Sequence, residues 1–297
     1  MTTKKENAQK LGIYLLIVSM FVLLFFVFRT TMNKSNTAFF IIYYCLFSFS
    51  PAIASLITRA VTKEGFRDMK LHLNLNGNFR WYLLAFGLPL IFFSARILLP
   101  IIVSGHSNWL GGFTVQDAVA SVFMLAALSV VQSIGLLGEE LGWRGYMNQK
   151  MEPLFGTVGT CLFGGVVWSL WHLPMDLAGW LDGEDTFSDT LMMCGGRMLL
   201  LTCFGTFLMW LTKKTDSVFP AVVAHFMFNQ SQGAFGGFLS QCNIPENADL
   251  GAISDVCEYT TIIILAVFLL GCYYVKTIRT REIYNVICTR RKGDIML

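Results

Sequence analysis

Two adjacent carboxylates and an arginine, Glu139, Glu140 and Arg144, stand in "GEELGWRGYM" (138–147), at the end of an apolar run that begins near Ala118. An ionisable side chain at membrane depth is costly and requires a partner or a task. On a helix Glu140 and Arg144, four residues apart, share a face and are placed for an ion pair, while Glu139 points about 100° away and is left free of that pair. The same spacing recurs twice: Trp168 and His172 in "WSLWHLP", and His225 and Asn229 in "AHFMFN". A carboxylate base, two imidazoles and an amide are the groups that activate a water and stabilise an oxyanion, which makes peptide hydrolysis the chemistry this inventory serves.

The elements that must position these residues are membrane helices. Of 297 residues 55% are hydrophobic and 14% charged, and the mean hydropathy is +0.58, values outside the range of soluble globular chains. A crossing requires about 20 apolar residues. Eight apolar windows with few or no charges are candidates, roughly 11–28, 38–58, 81–103, 117–140, 157–174, 190–212, 218–238 and 259–275. The first follows Lys4, Lys5 and Lys10 but is too long, and lacks a small-x-small site after Phe28, for a cleaved signal; it reads as a retained span.

Charge supports the same count. Arg59, Lys63, Arg67, Lys70 and Arg80 lie between spans two and three, Lys213 and Lys214 follow span six, and Lys276, Arg279, Arg281, Arg290, Arg291 and Lys292 form the tail. Loops 104–116, 174–189 and 241–258 contain no Lys or Arg. This alternation places both termini in the cytoplasm, with Arg29 and Lys34 as the discordant pair. The basic tail reads as an anchor near anionic lipid, and nucleic acid is not expected as a partner. Residues 63–82 read as a segment lying along the cytoplasmic interface, ahead of Trp81 and Tyr82.

The chain reads as one all-α domain, 1–297, with no internal repeat or linker. Its remaining polar features are structural expectations: Arg96 and Arg197 as partners of carbonyls or of Asp176, and His72 and His106 in loops. Eight cysteines occur without a CxxC; Cys242 and Cys257 share an expected outer loop in which a disulfide is one of two open alternatives.

Three motifs in order, EExxxR as "EELGWR", an aromatic with xxxH as "WSLWH" and HxxxN as "HFMFN", resemble those of the CAAX-protease and bacteriocin-processing family of intramembrane endopeptidases. That family includes the eukaryotic Ras and a-factor converting enzymes and many bacterial self-immunity proteins. The resemblance covers residues 117–232. It implies a helical bundle around a polar intramembrane cavity, in which Glu139 and His172 activate the attacking water and His225 and Asn229 stabilise the oxyanion. Glu140 and Arg144 would hold the motif in shape. The second motif usually opens with Phe; Trp168 stands there instead, which bears on the shape of the pocket more than on the chemistry.

Two mechanisms follow from the resemblance: a glutamate peptidase that requires no cofactor, or a zinc enzyme whose ligands would be Glu139, His172 and His225. HExxH, GxSG and GxGD are absent, which excludes the other intramembrane protease classes. The expected substrate is a membrane-associated or lipidated peptide or protein, and the expected location a bacterial plasma membrane. The alternatives are a catalytically silent immunity or scaffold protein that binds a peptide or bacteriocin, and a transporter using the carboxylates as a proton relay, for which the inverted repeats are missing. A common site also requires that Glu139, near the cytoplasmic end of span four by hydropathy, meet His172, near the outer end of span five. Either "MNQKMEPLFG" (147–156) is a loop dipping into the bundle, or the span boundaries lie elsewhere.

Overall fold

The computed structural model describes residues 3–31, 37–104, 132–241, 256 and 259–271. Its helices are α1 (Lys4–Thr31), α2 (Thr37–Thr62), α3 (Phe79–Ser104), α4 (Gln132–Trp171), α5 (Leu173–Leu181), α6 (Phe187–Thr215), α7 (Phe219–Gln241) and α8 (Tyr259–Gly271). No strand occurs among the described residues, as the all-α reading expects. Lys4–Thr31, Ile42–Thr62, Gln132–Trp171 and Phe187–Thr215 are long and apolar enough to cross a membrane, and Phe79–Ile91 and Tyr259–Gly271 are shorter apolar helices. Their outward faces carry large apolar side chains, among them Leu16, Leu23, Leu162, Met192 and Phe268, a surface suited to lipid. Cys242, Cys257, His106, residues 117–131 and the basic tail lie outside the described residues, as does the side chain of Arg96.

The 40 residues of α4 do not form one rod. Gly156 has φ +69° and ψ 177°, a region essentially confined to glycine, and the chain reverses there. Glu139 and Trp168 are 29 residues apart, yet Trp168 Nε1 lies 3.2 Å from Glu139 Oε2; in a straight helix they would be about 43 Å apart. Gly164 likewise lies beside Asn148 and Met147. The element is a helical hairpin with arms 132–155 and 157–171.

This reversal answers the question of depth. The stretch 147–156 is helical up to Gly156 instead of an open loop, so the boundaries drawn from hydropathy were displaced. A run holding Arg144, Lys150 and Glu152 fails a hydropathy window but still completes a helix when tertiary partners take up its charges. Glu139 precedes the reversal by 17 residues and His172 follows it by 16, which sets them at matching heights on the two arms.

Two further details shape the first arm. Trp143–Met147 forms a π turn, and Gly145 within it offers its carbonyl to Gln149 Nε2 at 2.8 Å and to Arg59 Nη2 at 3.2 Å. Against this arm lies α2, whose interior Pro51 cannot donate to the carbonyl of Phe47. Ser50 Oγ donates to that carbonyl instead, at 2.7 Å, and accepts from Trp171 Nε1 at 3.0 Å. The apolar core runs through Tyr14 and Phe25 of α1, Phe47 of α2, Trp143 and Trp171 of α4, Phe204 and Phe207 of α6 and Phe228 of α7.

The ends of the bundle are tied by charge. Glu64 Oε2 meets Lys150 Nζ at 2.7 Å and Lys10 Nζ at 2.9 Å, and its Oε1 accepts from the Tyr146 hydroxyl at 2.7 Å. Arg59 pairs with Asp68, Lys213 with Glu152, and Lys70 with Asp216 at 2.8 Å. The 63–82 stretch is thus folded over one end of the helices by these contacts. At the other end Arg29, discordant in the charge pattern, meets Asp182 at 2.9 Å, and Arg197 meets the expected partner Asp176 at 2.7 Å.

Candidate active site

Trp168, 1% exposed, is the piece around which the expected site residues gather. Its indole N–H donates to Glu139 from the facing arm. Its carbonyl is 2.9 Å from His172 Nδ1, and since a carbonyl only accepts, that nitrogen carries the proton. In the neutral tautomer that this contact selects, His172 presents the lone pair on Nε2. The Arg144 guanidinium lies over the Trp168 ring, 4.2 Å from its centroid, and the His225 ring stands edge-on to it at 5.1 Å and 82°.

Glu140 is fully buried and Glu139 nearly so. The expected Glu140–Arg144 pair is present at 3.1 Å, and the same Glu140 oxygen lies 2.9 Å from His225 Nδ1. That contact was not legible in the sequence, because Glu140 and His225 are 85 residues apart and no spacing rule joins separate helices. Glu139 also differs from expectation: it lies off the ion-paired face as the helical angle requires, but the indole engages it. The signal available was the one departure from the motif, a tryptophan where a phenylalanine has no N–H to give.

The structure thus gathers Glu139, Glu140, Arg144, Trp168, His172 and His225. Asn229 lies on α7 one turn beyond His225 and is exposed, whereas His225 is buried. Among the described residues no group of three or more His, Cys, Asp or Glu side chains is arranged to hold a metal ion.

Residues 118–231 match the family profile described as "Type II CAAX prenyl endopeptidase Rce1-like", a range that contains all three motifs. A protein named "CAAX prenyl protease 2" from Methanococcus maripaludis is 26% identical over 155 residues, which cover 49% of this chain and 55% of that protein. The chain spans about half the length of the curated relative it matches. The family resemblance read from "EELGWR", "WSLWH" and "HFMFN" is borne out over the core of the chain, where residues 118–231 match the profile of the CAAX prenyl endopeptidases.

Proposed function

We propose that the chain is an intramembrane endopeptidase that hydrolyses a peptide bond of a membrane-associated substrate, with a prenylated C-terminal peptide as the first substrate to try. The observation that carries this reading is the meeting of Glu139, His172 and His225 around one indole, the first two through the hairpin and His225 from α7. In this reading Glu139, aided by the free Nε2 of His172, takes a proton from water while the resulting hydroxide adds to the scissile carbonyl carbon. His225 and Asn229 donate to the oxyanion. With Nδ1 against Glu140, His225 donates from Nε2 as an imidazolium whose charge Glu140 balances. Collapse of the tetrahedral intermediate breaks the C–N bond, and the proton held by the Glu139–His172 pair passes to the leaving amine. Each proton is carried by this chain's own residues. Eight crossings with both termini cytoplasmic, a water-filled cavity at the site and residence in a bacterial plasma membrane belong to the same proposal.

The test compares wild type with Glu139→Gln in nanodiscs, against prenylated and unprenylated peptides, scoring new termini by mass spectrometry with and without a strong chelator. Wild type should produce defined new termini whether or not chelator is present, and Glu139→Gln should be slower by about 10²-fold or more. Full activity in Glu139→Gln removes Glu139 as the base, and loss of wild-type cleavage in chelator moves the mechanism to zinc.

A further inference from the structure

Trp168 occupies a position that the family's second motif usually gives to Phe, and the larger indole brings an N–H aimed at the carboxylate assigned as base. The indole N–H lies 3.2 Å from Glu139 Oε2 inside a buried cluster. A lone hydrogen bond of this kind fixes the torsion of a carboxylate that otherwise rotates about its last single bond. The ring is itself held on several sides: Arg144 over its face, His225 at its edge, Phe204 stacked at 6.3 Å, and Gly205 close beside Cε3 and Cζ3. A donor clamped in this way has one direction in which to donate.

We infer that Trp168 is a positioning residue of this chain, whose indole N–H sets the orientation of the Glu139 carboxylate while its backbone carbonyl sets the tautomer of His172. Both water-activating groups are thereby aligned from one residue, and the part carried by the side chain is one that Phe at this position does not supply. The inference rests on the endopeptidase reading for its catalytic consequence, but the hydrogen bond itself is open to a separate measurement.

Trp168→Phe keeps an aromatic ring between Arg144 and His225 but removes the N–H together with the five-membered ring that bears it. It should lower kcat on the order of tenfold, the loss expected for one hydrogen bond to a charged group, with KM unchanged within about twofold and a melting temperature lowered by the cavity the smaller ring leaves. Trp168→Leu, lacking any aromatic ring for Arg144 and His225, should lose more thermal stability than Trp168→Phe. In parallel, 15N-indole labelling of the seven tryptophans gives one resonance that vanishes in Trp168→Phe. That resonance should shift upfield in Glu139→Leu. A resonance that ignores Glu139→Leu, or a Trp168→Phe enzyme with wild-type kcat, overturns the inference. If wild type cleaves nothing, the endopeptidase reading fails on its own, and the resonance still decides whether the indole holds Glu139.

Discussion

One oxygen of Glu140 serves two partners, Arg144 Nη1 at 3.1 Å and His225 Nδ1 at 2.9 Å, in a place sealed from the surroundings. Removing one member of a buried charge pair leaves the other uncompensated, at a cost of about 3–5 kcal/mol. Glu140→Ala should therefore lose stability on this scale in thermal unfolding in detergent, unlike Glu139→Gln, which keeps an acceptor for the Trp168 indole. A Glu140→Ala protein as stable as wild type would refute the bracing role. The contrast between the two glutamates was partly legible: helical spacing alone paired Glu140 with Arg144 and set Glu139 apart. The indole contact and the histidine tautomers were not, since they depend on side chains brought together by a reversal that the sequence marks only as a glycine.

At the scale of elements, two glycines of α4 act for opposite reasons. A Cβ on Gly142 would sit 2.3 Å from Pro51 Cβ, 2.4 Å from its carbonyl carbon and 2.6 Å from its oxygen, so α2 approaches the first arm at a contact that no side chain can occupy. Gly156 has open space around it but a backbone conformation that L residues avoid. Ala at either position should destabilise, by about 1–3 kcal/mol through overpacking at Gly142 and by about 1–3 kcal/mol through strain at Gly156. Unfolding midpoints measure both. D-Ala introduced at Gly156 by semisynthesis should restore stability there, because its mirrored preference accepts a positive φ. Helices were legible as apolar windows where the residues are described, and four of them are long and apolar enough to cross a membrane. Their ends were not, because arm 132–155 carries charges whose partners, Glu64 and Lys213, come from distant parts of the chain.

Across the whole molecule, Lys10, Glu64, Lys150 and Tyr146 join α1, the segment after α2 and α4 at one end. Burial alone would raise the Glu64 carboxyl, but hydrogen bonds from Lys150, Lys10 and Tyr146 prevail and hold it at about 2, below its ordinary 4.5. A depressed carboxylate contributes stability above its unfolded value and loses it as pH falls toward the folded one. The melting temperature in detergent should thus decline between pH about 4.5 and about 2, and Glu64→Gln should lower it at neutral pH while flattening this acid limb. An acid limb unchanged in Glu64→Gln would assign the decline to other carboxylates. The charge pattern that grouped residues 59–80 with Lys213 and Lys214 anticipated this shared end without showing which acids would meet them.

The reversal at Gly156 also bears on how the protein is made. Two arms joined by a single glycine have no loop to hold them apart, so in the proposed membrane topology they would enter the bilayer together. Glu140 and Arg144 travel within a single arm and arrive already neutralising each other, which reduces the several kcal/mol that a lone charge costs at the membrane centre. Trp168 and Glu139 meet as soon as this unit closes, whereas His225 comes from α7, 85 residues beyond Glu140. The cluster is thus divided by origin: Glu139, Glu140, Arg144, Trp168 and His172 belong to one hairpin and its end, and His225 is added from α7, so that in the proposed mechanism the groups assigned to the water's proton come from one unit and the oxyanion donor from another.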